Sequence, residues 1–195
     1  MKVFIVYCHP SKNSFTNRVK EEFIRGLQDA GHEYLVSDLY DMEFQCELSE
    51  EEYLRESYYK SAQPVASDVQ LEQSKIEQSD AIVFIYPVFW TEAPAKLVGW
   101  FDRVWTSGFA YAPEPSMKLL DKALCIAIAG KSIQSLDETG EREAMRTVML
   151  GDRIRNRAKE KELVILDSTT HWNEKLREEK IKVHLKTVYR LGINF

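Results

Sequence analysis

Cysteine and histidine are scarce: three cysteines (Cys8, Cys46, Cys125), none in a CxxC pair, and four histidines in 195 residues. So sparse a set builds neither a disulfide framework nor a metal-ligand cluster, and no metal is expected. Unpaired thiols point to a reducing compartment, read here as the cytoplasm. The eight glycines form neither the GxGxxG turn of a dinucleotide-binding domain nor the GxxxxGK[ST] loop of a nucleotide triphosphatase. Long hydrophobic runs are lacking too. Only residues 3–7 are apolar before Cys8-His9-Pro10, too short for the core of a signal peptide, and the stretch around Ala81–Trp90 falls well short of the ~18 residues of a membrane span. Nor is there an excess of basic residues: 26 Lys and Arg against 31 Asp and Glu leave a net charge of −5. With those charges scattered, neither a nucleic-acid face nor membrane insertion is expected.

What is present is an alternation of two patterns. Val3–Tyr7, Tyr34–Ser37, Ala81–Tyr86, Leu124–Ala129 and Leu163–Leu166 are short and nearly continuous in hydrophobicity, as strands buried on both faces of a parallel sheet are. Between them, Phe15, Val19, Phe23 and Leu27 recur at helical spacing behind Ser14 and before Gly31, with start and stop residues in place. Leu97, Val98, Phe101, Val104 and Trp105 form a second stripe after Pro94, which suits a helix's first turn. Ser49–Glu56 reads as a capped, exposed helix with Tyr53 and Leu54 turned inward, and Val69–Gln78 as another. Asn173–Leu191 is predicted helical, with Leu176, Ile181, Val183, Leu185 and Val188 inside. The β-α alternation predicts one α/β domain over residues 1–195: a doubly wound, flavodoxin-like, five-stranded parallel sheet of order 2-1-3-4-5 with helices on both faces. Asp38–Ala66 is too long for a simple connection, and is expected on the surface or over the site.

In such a sheet, ligands bind beyond the carboxyl ends of the strands where the winding reverses, here between the first and third strands. The loop after the first strand, His9 to Thr16, is dense in hydroxyls and amides and runs into a helix N-terminus. That is an anion cradle, with Ser14, Thr16, Asn17 and His9, a donor that protonation makes cationic, as further contributors, although an ordinary N-capping loop uses the same residues. The loop after the third strand carries Phe89 and Trp90 where small polar residues are usual. Exposed aromatics at a ligand mouth suit a flat apolar partner; core packing or a subunit interface are the plainer uses. A phosphate cradle and an aromatic shelf on neighbouring strands together suit a flavin phosphate.

At these residues the sequence resembles the NAD(P)H:quinone oxidoreductase family, the DT-diaphorase-like branch of the flavodoxin superfamily. Three blocks carry the resemblance: Val6–Phe23, with His9 and Ser14-Phe15; Asp38-Leu39-Tyr40; and Asp80–Tyr111, with Tyr86-Pro87, Trp90, Pro94-Ala95, Gly99-Trp100-Phe101-Asp102-Arg103 and Gly108-Phe109-Ala110-Tyr111. It implies that His9, Ser14, Phe15 and Thr16 hold the flavin phosphates, that Pro87, Val88, Phe89 and Trp90 lie along the ring, and that Gly130 lets backbone approach it. Trp90 and Tyr111 are the residues implied at the chemistry. It further implies FAD, with FMN as the alternative, NAD(P)H as co-substrate and a quinone-like acceptor, hydride passing through the flavin. A homodimer is implied, with the Trp100–Tyr111 stretch as the expected twofold contact. Asp102-Arg103 reads as a supporting helical ion pair. The pattern departs after the fourth strand, where the family's Thr-Thr-Gly-Gly and following Tyr and His give way to Ile128-Ala129-Gly130-Lys131-Ser132; Tyr111 and His171 are the candidates to replace the missing proton donors. An ancillary subunit of a potassium efflux system and a flavodoxin-type electron carrier are the other roles the resemblance leaves open.

Overall fold

The computed structural model describes residues 1–111, 114–170 and 174–195. His171 therefore lies outside the described residues. Five parallel strands, β1 (Lys2–Tyr7), β2 (Glu33–Asp38), β3 (Ala81–Pro87), β4 (Leu120–Ile128) and β5 (Ala158–Leu166), form a sheet of order β2-β1-β3-β4-β5, as expected. Alternate side chains serve opposite faces. Val3, Ile5, Tyr7, Val83, Ile85, Leu124 and Ile126 pack with Val19, Phe23 and Leu27 of α1 (Phe15–Asp29) and Val188 of the last helix. Phe4, Val6, Ile82, Phe84, Tyr86 and Cys125 turn the other way, toward α3 (Ser67–Glu77) and α4 (Ala95–Val104). Both faces are dry, which is why the central strands read as unbroken apolar runs.

Glycine lets α1 cross the C-terminal helix closely. A Cβ on Gly26 would meet the Tyr189 carbonyl oxygen at 2.4 Å, and one on Gly192 would meet that of Phe23 at 2.4 Å. The outer strand β5 begins Ala158-Lys159-Glu160-Lys161-Glu162, with Lys159 through Glu162 exposed, and becomes apolar only in its second half. Charge on an edge strand opposes pairing with another chain.

Several helical faces differ from expectation. In α2 (Glu50–Ser57) the capping box is present, Ser49 accepting from the Glu52 N–H and Glu52 from the Ser49 N–H. Tyr53 and Leu54, however, are 58% and 37% exposed, and Arg55 is the buried residue. Its guanidinium donates to the carbonyls of Gln63, Ser61 and Ser107 and pairs with Glu56, so a fully paired charge occupies the inward position. In the C-terminal helix α7 (Glu174–Ile193), Leu176 and Val183 are exposed while His184 and Val188 are buried. His184 takes the inner stripe because its Nε2 reaches the Asp167 carbonyl oxygen at 2.8 Å. The Trp100–Tyr111 stretch is core rather than an open face: Trp100, Phe101 and Trp105 are at most 8% exposed. Trp100 is satisfied there by donating to Glu72 at 2.8 Å, and Trp105 by donating to the Arg153 carbonyl at 2.8 Å. Asp102 and Arg103 do not pair either. Adjacent helical residues diverge by about 100°, and Arg103 turns inward to Glu52 (2.6 Å), Asp68 (2.5 Å) and the Gln45 carbonyl (2.7 Å), tying α4 to α2 and α3. After β4 come α5 (Ile133–Glu138) and α6 (Glu141–Arg146), which continues as a π-helical stretch, Thr147–Ile154.

Candidate functional site

β1 and β3 are neighbours and run parallel, Tyr7 opposite Ile85, so the loops that follow them leave the same edge of the sheet. The chain stays in register past the strand ends: the Cys8 N–H donates to the Ile85 carbonyl, Val88 to Ile128 and Ala129 to Leu166.

The first loop ends in Ser14, the N-cap of α1, whose Oγ accepts from the Asn17 N–H at 3.0 Å. That leaves the next two helical donors: among the described residues, the N–H groups of Phe15 and Thr16 have no hydrogen-bond partner. They sit at the positive end of a 15-residue helix, a ready place for a phosphate. The Ser11 N–H donates to His9 Nδ1 at 2.9 Å. The same nitrogen lies 3.1 Å from the Ser11 carbonyl oxygen, and burial lowers the pKa of the imidazole. The Tyr7 hydroxyl lies below this loop, buried without a hydrogen bond among the described residues. Burial pushes its pKa up to about 12.

The second loop is a two-residue hairpin. Phe89 and Glu92 exchange both backbone hydrogen bonds, at 2.8 and 2.9 Å, and the residues between them, Trp90 (φ 51°) and Thr91 (φ 68°), are both left-handed. This is the geometry of a type I′ turn, normally built from Asn and Gly. Trp90 is fully exposed, so no packing offsets the cost. Its N–H and that of Thr91 have no partner among the described residues. Strain of about 1–3 kcal/mol per residue in such a place marks functional positions.

Beside this turn lies a cavity of about 430 Å³ lined by Val88, Trp90, Thr91, Ala129, Gly130, Lys131, Leu136, Glu141 and Thr170. Of the anticipated residues, Val88, Trp90 and Gly130 thus meet in one pocket. Pro87 is a buried residue of β3, and Phe89, 48% exposed, stands outside that lining. Gly130 packs closely on its neighbour: a Cβ there would meet Thr170 Oγ1 at 2.3 Å, so the threonine side chain would have to shift. Tyr111 does not line the cavity. Its hydroxyl donates to Glu56 at 2.7 Å, and burial, reinforced by that carboxylate, raises its pKa, which commits the proton to Glu56. Thr91, Lys131, Glu141 and Thr170 were not anticipated. Among the described residues Lys131 is the only cation of the lining, and it is paired with Glu141 at 2.5 Å; its position directly after Gly130 was the available signal.

A parallel 2-1-3-4-5 sheet with a helix N-terminus and an aromatic-edged pocket at the carboxyl end of adjacent strands defines a flavodoxin-like protein. The comparisons agree. A family model described as "Flavodoxin-like fold" matches residues 1–153. An NAD(P)H:quinone oxidoreductase from Methanothermobacter marburgensis is 42% identical, with a TM-score of 0.94 over 100% of this chain and 96% of that one. NAD(P)H dehydrogenase [quinone] 1 of Cavia porcellus is 37% identical over 124 residues, 56% of this chain and 45% of that protein. Ribosyldihydronicotinamide dehydrogenase [quinone] of Rattus norvegicus is 35% identical over 56% of this chain and 53% of its own length. The chain belongs to the NAD(P)H:quinone oxidoreductase family of flavodoxin-like proteins. It spans about half the length of the curated relatives it matches. No helix among the described residues is long and apolar enough to cross a membrane.

Proposed function

We propose that this protein is a flavin-dependent NAD(P)H oxidoreductase of the quinone-reductase type. The observation that carries this reading is the strained, fully exposed Trp90 turn beside the Gly130 cavity, on the same sheet edge as the unpaired N–H groups of α1. The names of the relatives in the family supply the nicotinamide donor and the quinone acceptor.

The residues present fit a phosphorylated planar ring. The Phe15 and Thr16 N–H groups, with His9 nearby, would donate to phosphate oxygens at the positive end of the helix dipole. Val88 and Trp90 offer apolar surface to a ring, and the free N–H groups of Trp90 and Thr91 suit the polar edge of a flavin. A bound flavin would supply hydride transfer between NAD(P)H and a flat acceptor. The chain's own contribution is to hold the ring, to keep the cavity narrow, and to place charge at its mouth. Lys131, held by Glu141, supplies that charge and is the proposed proton source for the reduced acceptor, Tyr111 being engaged with Glu56.

FAD is the proposed flavin, on the resemblance of the Ser14-Phe15 loop, and the cytoplasm the proposed location. A homodimer is also proposed. Since Trp100, Phe101 and Trp105 are buried, the exposed Leu48, Tyr53, Leu54, Tyr58 and Tyr59 are its proposed contact residues, with Tyr111 beside Tyr59 through an edge-on ring contact.

The test is the visible spectrum of the purified protein, with chromatography of any released chromophore, followed by anaerobic addition of NADPH or NADH. Bound FAD bleached by the nicotinamide and recovered by a quinone is the expected result. A protein that takes up neither FAD nor FMN would refute the proposal, and accumulation of a one-electron-reduced form with poor NAD(P)H turnover would favour an electron carrier.

A further inference from the structure

Type I′ turns are ordinarily stabilised by residues that tolerate left-handed backbone. Here Trp and Thr occupy both central positions, so the conformation must be imposed from outside the turn. Closure by Phe89 and Glu92 backbone bonds accompanies any two-residue hairpin and does not explain how this one is kept. The remaining restraint is at Glu92. Its Oε1 accepts from the Ala93 N–H at 2.7 Å, and its two oxygens accept from Arg153 Nη1 and Nη2 at 2.8 and 3.3 Å.

Arg153 is itself fixed. It belongs to the π-helical stretch Thr147–Ile154, its side chain is 12% exposed, and its guanidinium lies 5.0 Å from the Phe101 ring centroid. Trp105 donates to its carbonyl oxygen. Wide π-turns bond less well than α-helix and persist mostly where they set the position of a functional group. A planar guanidinium gripping both carboxylate oxygens fixes orientation as well as distance, the Arg153 end being sheltered and the Glu92 carboxylate 42% exposed.

We propose that Arg153 and Glu92 are positioning residues: their two-point ion pair clamps the hairpin from the far end of the chain's π-helical stretch and holds the Trp90–Thr91 turn ready for the flavin ring. The inference rests on the flavin reading above. The clamp orders the turn before the ligand arrives, so binding need not supply the ordering free energy.

The experiment is a fluorescence titration of the apoprotein with FAD, for wild type, Glu92→Gln, Trp90→Ala and the double variant. Glu92→Gln keeps the side chain's size and an acceptor for the Ala93 N–H while removing the charge. It is expected to weaken FAD binding about tenfold and to leave the melting temperature of the apoprotein within about 2 °C of wild type. In the Trp90→Ala background the same change is expected to cost less than twofold, because residues that act through one another are not additive. Arg153→Gln is expected to reproduce the Glu92→Gln loss. Unaltered FAD affinity in Glu92→Gln, or equal losses in both backgrounds, overturns the clamp while leaving the flavin reading intact. A wild-type protein that binds neither FAD nor FMN overturns both.

Discussion

Trp90→Asn separates the stability of this protein from its function. The side chain at 90 is fully exposed with φ 51°, so its removal sacrifices no packing and relieves a backbone conformation that disfavours all residues but Gly, Asn and Asp. A non-glycine residue in the left-handed region costs about 1–2 kcal/mol. Asn recovers part of this without the unfolded-state entropy that Gly would add, leaving a gain of about 0.5–1 kcal/mol. For a chain of this length each kcal/mol shifts the melting temperature by about 2–4 °C, so the apoprotein should melt about 1–4 °C higher. Flavin affinity should fall about tenfold in the same variant, on the scale of one lost aromatic contact. Differential scanning fluorimetry of the apoprotein and a fluorescence titration with FAD measure the two quantities. A melting temperature that falls, or an affinity that does not change, would refute the view that strain at this turn is held for the ligand.

Gly26→Ala should destabilise by about 2 kcal/mol, since the new methyl group meets the Tyr189 carbonyl oxygen at 2.4 Å; chemical denaturation measures this. Ser14→Ala removes the cap of α1 and should cost about 1 kcal/mol of stability, with a further loss of FAD affinity seen by titration. Arg103→Ala strands Glu52, Asp68 and the Gln45 carbonyl and should cost about 3 kcal/mol, read by urea unfolding. Burial alone would raise the pKa values of Glu52 and Asp68, but hydrogen bonds and charge from Arg103 outweigh it and hold both below their ordinary values. Carboxylates with depressed folded-state pKa values stabilise fully above their unfolded values and lose that stabilisation as pH falls through the folded ones. Wild-type stability should therefore drop steeply below about pH 4, and the Arg103→Ala variant, already without the pairing, should show a shallower decline over the same range.

The sheet was legible because its strands are sheltered on both faces, which writes uninterrupted Val, Ile and Phe into the chain; the order then followed from the handedness of the crossovers. Helix faces were less legible where a charged or imidazole side chain took an inner position. Arg55 and His184 are buried because specific carbonyls receive them, and no periodicity shows those carbonyls in advance. The Asp102-Arg103 pairing failed for the same reason, its true partners lying 51 and 35 residues away in sequence. At the site, residue types located both loops, since Ser14 must cap a helix and Trp90 is out of place in a connection. The turn at Trp90-Thr91 was invisible because its sequence contradicts its conformation, the usual signal being Asn-Gly. Lys131 and Glu141 entered the pocket through α5 and α6, short helices without enough turns to show a stripe.

The charged opening of β5 constrains how copies of this chain can associate. A growing ribbon of sheet across two molecules would need a bare margin, and on this side the Lys159 to Glu162 alternation surrounds the unpaired backbone with ions that would have to shed their water. Pairing through this margin is thereby opposed, which leaves helices and loops as the surfaces through which copies could meet.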